Sequence, residues 1–182
     1  MKTLKEFFHR YIENTSEKAV VADKKLFLCL LTLAVSQGVN INCSRNVYIT
    51  TRALKHLYDK KPAEEFLFIV NHLGEIVRYP DKIYQNPKEK RGNFGFAKRI
   101  DDSEYFCSIE IIKIPPAFFG KAISGISEYG AEKEIEEIRV ATAFRLRDEH
   151  YIKNYTLLWD WGNGAPHRSA LDTPSESTNA PQ

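Results

Sequence analysis

Apolar positions repeat with a helical period in the first half of the chain and alternate in the second half. Residues 4–13 predict a first helix, and residues 17–37 a second that stops at Gly38. Thr50 is placed to cap a third helix ending near Lys60. Pro62 suits the first turn of a fourth, which runs to about Val77. There Phe66, Leu67, Ile69, Val70, Leu73, Ile76 and Val77 gather on one side. Beyond these, residues 94–100 and 138–147 alternate. Residues 105–114 are β-rich and stop at Pro115-Pro116, and residues 155–161 follow a short loop as a last strand. Helices first and strands second predict an α+β fold. Its expected form is a roughly four-stranded antiparallel sheet with the N-terminal helices packed on one face. Residues 115–137 form a long connection, and no internal repeat is visible.

Composition supports a packed domain. Of 182 residues, 43% are hydrophobic and 27% charged, so a normal core can form. The stretch 162–182 is different: Pro166, Pro174 and Pro181 stand among Ser, Thr, Asn and Gly, with almost nothing to bury. It is expected to be a disordered tail. The longest apolar run, 26–35, is broken only by Thr32. It is too short for a bilayer, which needs about 20 residues, so it is read as a buried helix. Acidic residues Glu6, Glu13, Glu17 and Asp23 precede it, which makes it a poor signal peptide, and no membrane partner is expected. Cys29, Cys43 and Cys107 stand alone, without a CxxC or a Cys/His cluster. No metal site, disulfide framework or cofactor is expected, and a reducing cytoplasm fits best.

Net charge is only +2, but it is unevenly spread. Residues 50–100 carry eleven basic and six acidic side chains, net +5, whereas residues 101–138 carry three and nine, net −6. A basic middle can meet a polyanion even where the total charge is small.

Within that basic segment the third helix is amphipathic. Ala53, Leu54, Leu57 and Tyr58 fall on one arc, and Arg52, Lys55, His56 and Asp59 on the other. His56 thus sits on a polar, mostly basic face, and histidine alone exchanges protons near neutral pH without help. His150, at a turn after Arg147-Asp148-Glu149, is a reserve candidate. The run 88–99 joins cations, including Arg91 and Arg99, to glycines and to Phe94 and Phe96, a pattern used for single-stranded nucleic acid. Strict alternation puts Phe94, Phe96 and Lys98 on one face of their strand, and Gly95, Ala97 and Arg99 on the other. In the next long strand it separates Thr142 and Phe144 from Arg145 and Arg147. No GxxxxGK[ST], GxSxG, HExxH or GxGxxG motif occurs.

The order ITTRALKH at 49–56, YPDKIYQN at 79–86, NFGFAK at 93–98, YFCSIEI at 105–111 and VATAFR at 140–145 resembles the Barnase–EndoU–colicin–RelE ribonuclease superfamily, nearest its phage-associated branch. The resemblance spans about 47–160. It implies a nuclease domain over 47–161, a helical extension over 1–46 and the tail beyond. It also implies metal-independent RNA cleavage by the ribose 2′-hydroxyl, leaving a 2′,3′-cyclic phosphate. Carried over by position, the catalytic residues are His56, Lys98, Thr142 and Arg145, with Arg52, Tyr84, Arg91 and Arg99 as substrate-binding residues. Such enzymes act on RNA, tRNA included, and can be toxins or phage-related effectors held by an antitoxin or immunity protein. The second histidine of EndoU-like members has no clear counterpart. Alternation also puts Lys98 and Thr142 opposite Arg99 and Arg145, unless a bulge intervenes. A non-catalytic RNA- or protein-binding domain on the same fold is therefore the alternative. Residues 1–46 could themselves be an interaction module.

Overall fold

A computed structural model describes residues 3–41, 44–88, 92–114, 135–161 and 165–166. The chain runs α1 (Leu4–Tyr11), β1 (Lys25–Leu30), α2 (Leu33–Gly38), β2 (Asn46–Thr50), α3 (Thr51–Lys60), α4 (Ala63–Arg78), β3 (Lys82–Gln85), β4 (Phe94–Ile100), β5 (Ser103–Ile114), β6 (Ile135–Leu146), β7 (Thr156–Asp160) and β8 (Ala165–Pro166). The α+β class is as expected, but the sheet is larger and mixed. Its order is β1-β2-β6-β5-β4-β3-β7-β8. Among the described residues only β2 and β6 run parallel; every other pairing is antiparallel.

The helix expected over 17–37 does not form. Its apolar run is divided: 25–30 pair with β2 as an edge strand, and Thr32 caps α2 by accepting the Val35 N–H at 3.2 Å. A continuous apolar run has no period to choose helix over strand, so pairing decides. The first 46 residues are accordingly not a helical extension. β1 is a strand of the main sheet, and the boundary at 47 falls inside β2. The expected disordered tail lies outside the described residues except for the short strand β8.

α3 and α4 follow the sequence closely. Thr50 accepts the Ala53 N–H at 3.1 Å, as a capping threonine should. Pro62 stands at the N-cap of α4, one position before its expected place. α1 begins with a reciprocal capping box between Thr3 and Glu6. Helix residues such as Phe7, Leu57, Phe66 and Leu73 join Val47, Phe96, Ile109 and Val140 in one core on the helix-bearing face of the sheet. The opposite face carries a smaller cluster of Tyr84, Ala97 and Phe106, with Phe144, Leu146 and Tyr155 packed against it. Phe96 is fully buried and Phe94 packs partly against the main core, so neither is the exposed base-stacking ring that the sequence pattern suggested.

β4 and β5 join through Asp101-Asp102, with Asp101 at φ 52°, a backbone state that two-residue hairpins need. Gly95 lies under the Phe106 ring, where a Cβ would come within 2.0 Å of a ring carbon. Gly95→Ala is expected to destabilise the fold by about 1–3 kcal/mol through overpacking. Urea unfolding measures this. Gly95→Ala combined with Phe106→Leu should lose less than the two single losses added together, because the clash is shared.

Candidate functional site

β2 pairs with β6 only at Val47↔Ile138 and Tyr48↔Arg139; the chain then turns into α3. Among the described residues no strand pairs with the rest of this edge of β6, and an unpaired strand edge exposes backbone donors and acceptors. Glu65, in the first turn of α4, meets this edge. Its carboxylate accepts the Arg145 N–H at 3.2 Å and the Arg147 side chain at 2.7 Å, with Lys61 3.6 Å away. Sequence reasoning missed Glu65. Its partners lie some 80 residues away, and only the sheet order brings them together.

Along this edge runs a cleft of about 350 Å³. His56 and Lys60 of α3 line it with Lys61 and Glu65, and Thr142, Arg145, Arg147 and Tyr151 complete the wall. Three of the four expected catalytic residues, His56, Thr142 and Arg145, therefore share one cavity. Thr142 and Arg145 keep opposite faces of β6, because its bulge precedes both. Ser108 pairs with Thr142 but Ile109 with Val140, which leaves Ala141 as an extra residue in β6. Val140 and Ala143 both face the main core, whereas Phe144 packs with the small cluster on the other face.

Lys98 is not in this cleft. Its Nζ donates to the Tyr79 carbonyl at 2.9 Å and lies 3.6 Å from Asp81 and 3.7 Å from Glu75, at the far end of α4. Lys98 pairs with Tyr105, and Tyr105 pairs with Arg145. Two strand spacings, about 10 Å, therefore separate Lys98 from Arg145. Tyr105 fills the gap, stacked on Phe68 of α4 at 4.6 Å. Arg99 is exposed, with its N–H bonded to Asp81, and also lies outside the cleft. Arg91 lies outside the described residues. Tyr84 is largely buried but borders a second cavity, with Arg147, Asp148, His150 and Lys153. Arg52 lines a third, of about 910 Å³, with His56, Arg139, Glu110 and Ala141.

His56 is exposed and has no hydrogen-bond or ion-pair partner among the described residues. The His150 ring is held by Asp148 at 2.8 Å. Hydrogen bonds from the His150 N–H and ring hold the Asp148 carboxyl below its ordinary value. Among the described residues, no group of three or more His, Cys, Asp or Glu could hold a metal ion. No helix among them is long and apolar enough to cross a membrane.

Two carboxylates fix the wall of the cavity that Arg52 lines. Asp59 pairs with Lys55 and accepts the Lys18 N–H at 3.1 Å, and Lys55 also donates to the Ser16 carbonyl at 2.8 Å. These contacts tie the 12–24 loop to α3. Glu137 pairs with Lys25 and accepts from Arg139 at 2.6 Å, which links β1 to β6. Burial is the largest single influence on each carboxyl and raises its pKa. The hydrogen bonds and positive charges together outweigh it, so both pKa values fall. A depressed carboxyl stabilises the fold above its unfolded value, about 4, and that support is lost as pH falls through the lower folded value. Urea midpoints should therefore decline below about pH 4, and Asp59→Asn with Glu137→Gln should flatten the decline.

Compared with family models, with curated proteins and with solved structures, the chain matches none.

Proposed function

We propose that the protein is a metal-independent endoribonuclease working at the edge of β6 that β2 leaves. The observation that carries this reading is one cavity shared by His56, Thr142 and Arg145, with Lys60, Lys61 and Arg147 around them. His56 takes the proton of the ribose 2′-hydroxyl as that oxygen attacks phosphorus. The 5′-oxygen departs and takes its proton from solvent in the open cleft, leaving a 2′,3′-cyclic phosphate. Arg145 and the neighbouring lysines offset the charge that builds on the phosphate oxygens, the role that Lys98 is too remote to fill. Thr142 donates a hydrogen bond to one of those oxygens, and Arg52 holds the adjoining backbone. A toxin or phage-related effector with an antitoxin or immunity partner, acting on tRNA or another cytoplasmic RNA, is the biological setting this chemistry suits.

The lack of any group orienting His56 among the described residues favours a second reading, in which the same cleft binds RNA without cutting it. Incubation with mixed tRNA and single-stranded RNA in EDTA separates the two. The enzyme should cut RNA to cyclic-phosphate ends and leave DNA of the same sequence intact, because DNA lacks the nucleophile. Salt-sensitive RNA binding without cleavage would establish the second reading.

A further inference from the structure

Three cavities near β6 adjoin one another through shared lining residues. His56 lines both the cavity beside Arg52 and the cleft, and Arg147 and Asp148 line both the cleft and the cavity under Tyr84. The path starts at the N-terminal turn of α3, follows the same edge of β6, and ends on the face of the sheet that carries the small core. Arg52, Lys60, Arg145, Arg147 and Lys153 mark its course. Two of its four acids, Glu65 and Asp148, are engaged. Glu65 holds Arg147 and the Arg145 N–H, Asp148 holds His150, and Glu110 sits opposite Arg139 in register.

One side chain on this path is out of keeping with a merely solvated surface. Tyr151 is 65% exposed, yet its ring is backed by an aromatic column. Its centroid lies 5.1 Å from Phe144, Phe144 lies 5.3 Å from Phe106, and the Phe106 ring meets Tyr155 edge-on at 5.6 Å. Lys61 Nζ lies 5.1 Å from the Phe144 ring centroid. A single turn of 3-10 helix, Glu149–Tyr151, sets the backbone, with the Tyr151 N–H donating to Asp148 O at 3.3 Å. The ring is therefore supported from behind, borders the cleft that holds His56, and stands among cations. A planar ring with cations beside it is what an unstacked base and its phosphates require.

We infer that this path binds a single-stranded segment of RNA, with Tyr151 as the platform on which a base next to the reacting phosphate stacks. The inference rests on the ribonuclease reading for the identity of the polymer, and it adds the form of the substrate and the residue that positions it. A duplex is disfavoured because its bases are already stacked and it presents only backbone and groove edges.

The test is fluorescence anisotropy with a labelled, unstructured 2′-O-methyl oligonucleotide, which lacks the nucleophile and cannot be cut, beside a hairpin duplex of the same chemistry. The single strand should bind about tenfold or more tighter than the duplex. Tyr151→Ala should weaken single-strand binding by about five- to a hundredfold, and Tyr151→Phe should keep most of it. Lys153→Ala should lower the salt slope by about one unit. Cleavage of ordinary RNA, with His56→Ala as control, is measured on the same proteins. Equal binding of both oligonucleotides, or of neither, overturns the inference. So does a Tyr151→Ala protein that binds and cuts like the parent while cleavage still depends on His56; the ribonuclease reading would then stand alone. The expected Tyr151 pattern with no cleavage would uphold the path and remove the ribonuclease reading.

Discussion

Replacing His56 with alanine is expected to lower RNA cleavage by about 10²–10⁴-fold without unfolding the protein. The size follows from the role. A positioned acid or base contributes that much to proton transfer in the transition state, and the cations around it should still bind the backbone. KM should therefore change far less than kcat. The fold should survive because His56 is exposed and bonded to no described residue, so its truncation leaves no buried partner behind. Single-turnover cleavage of labelled RNA in EDTA measures the effect, and circular dichroism checks the fold. If expression of the parent slows growth, His56→Ala should relieve it. A variant that cuts RNA at the parent rate would remove His56 from the mechanism.

Phe96→Ala should cost about 3–5 kcal/mol of stability, the range for emptying a buried aromatic site. Domains of this kind have only about 5–15 kcal/mol in total, so the variant should melt much earlier or fail to fold at room temperature. Phe96 is fully buried at the middle of β4, between Ile83 on β3 and Cys107 on β5. All three side chains belong to the core beneath the helices. Collapse around the gap would have to move a strand paired on both sides, so little of the loss should be recovered. Phe96→Leu keeps most of the volume and should fold. Its RNA affinity should equal the parent's, because the ring is no part of the cleft. A loss of binding by folded Phe96→Leu would mean that this strand does contact RNA.

The parts of the molecule with strong local signals were readable from residue order. α3 has a capping threonine and a clean amphipathic arc, and it spans the residues expected of it. α4 buries six of the seven apolar residues expected on one side, leaving Leu67 half exposed, and ends within a residue of its expected limit. The alternation over 94–100 is β4 to the residue. Weak or divided signals failed. β3 is four residues with two apolar positions, too short to show a period. The run 26–35 carries no period at all and became half strand, half helix.

For the candidate site the division is similar. His56 was visible because its helix displays it. Thr142 and Arg145 came with the resemblance; they stand on opposite faces, as alternation set them, and both border one cleft because it follows the edge of β6. Lys98 stood in the right motif and the wrong place, since two strand spacings and a stacked tyrosine intervene. Glu65 and Tyr151 gave no signal by themselves: a glutamate in a first helical turn and a tyrosine in a loop are ordinary.

By itself the sequence determined the α+β class, the two long helices, four of the eight described strands and one exposed histidine on a basic face. Each depends on near neighbours, whose spacing and chemistry are written along the chain. The tertiary structure alone decided the sheet order, the early departure of β2 from β6 and the edge this leaves unpaired among the described residues, and so which cations stand beside His56. Those depend on contacts between residues far apart in sequence, set by which strands together bury the most apolar surface, and no local pattern encodes that competition.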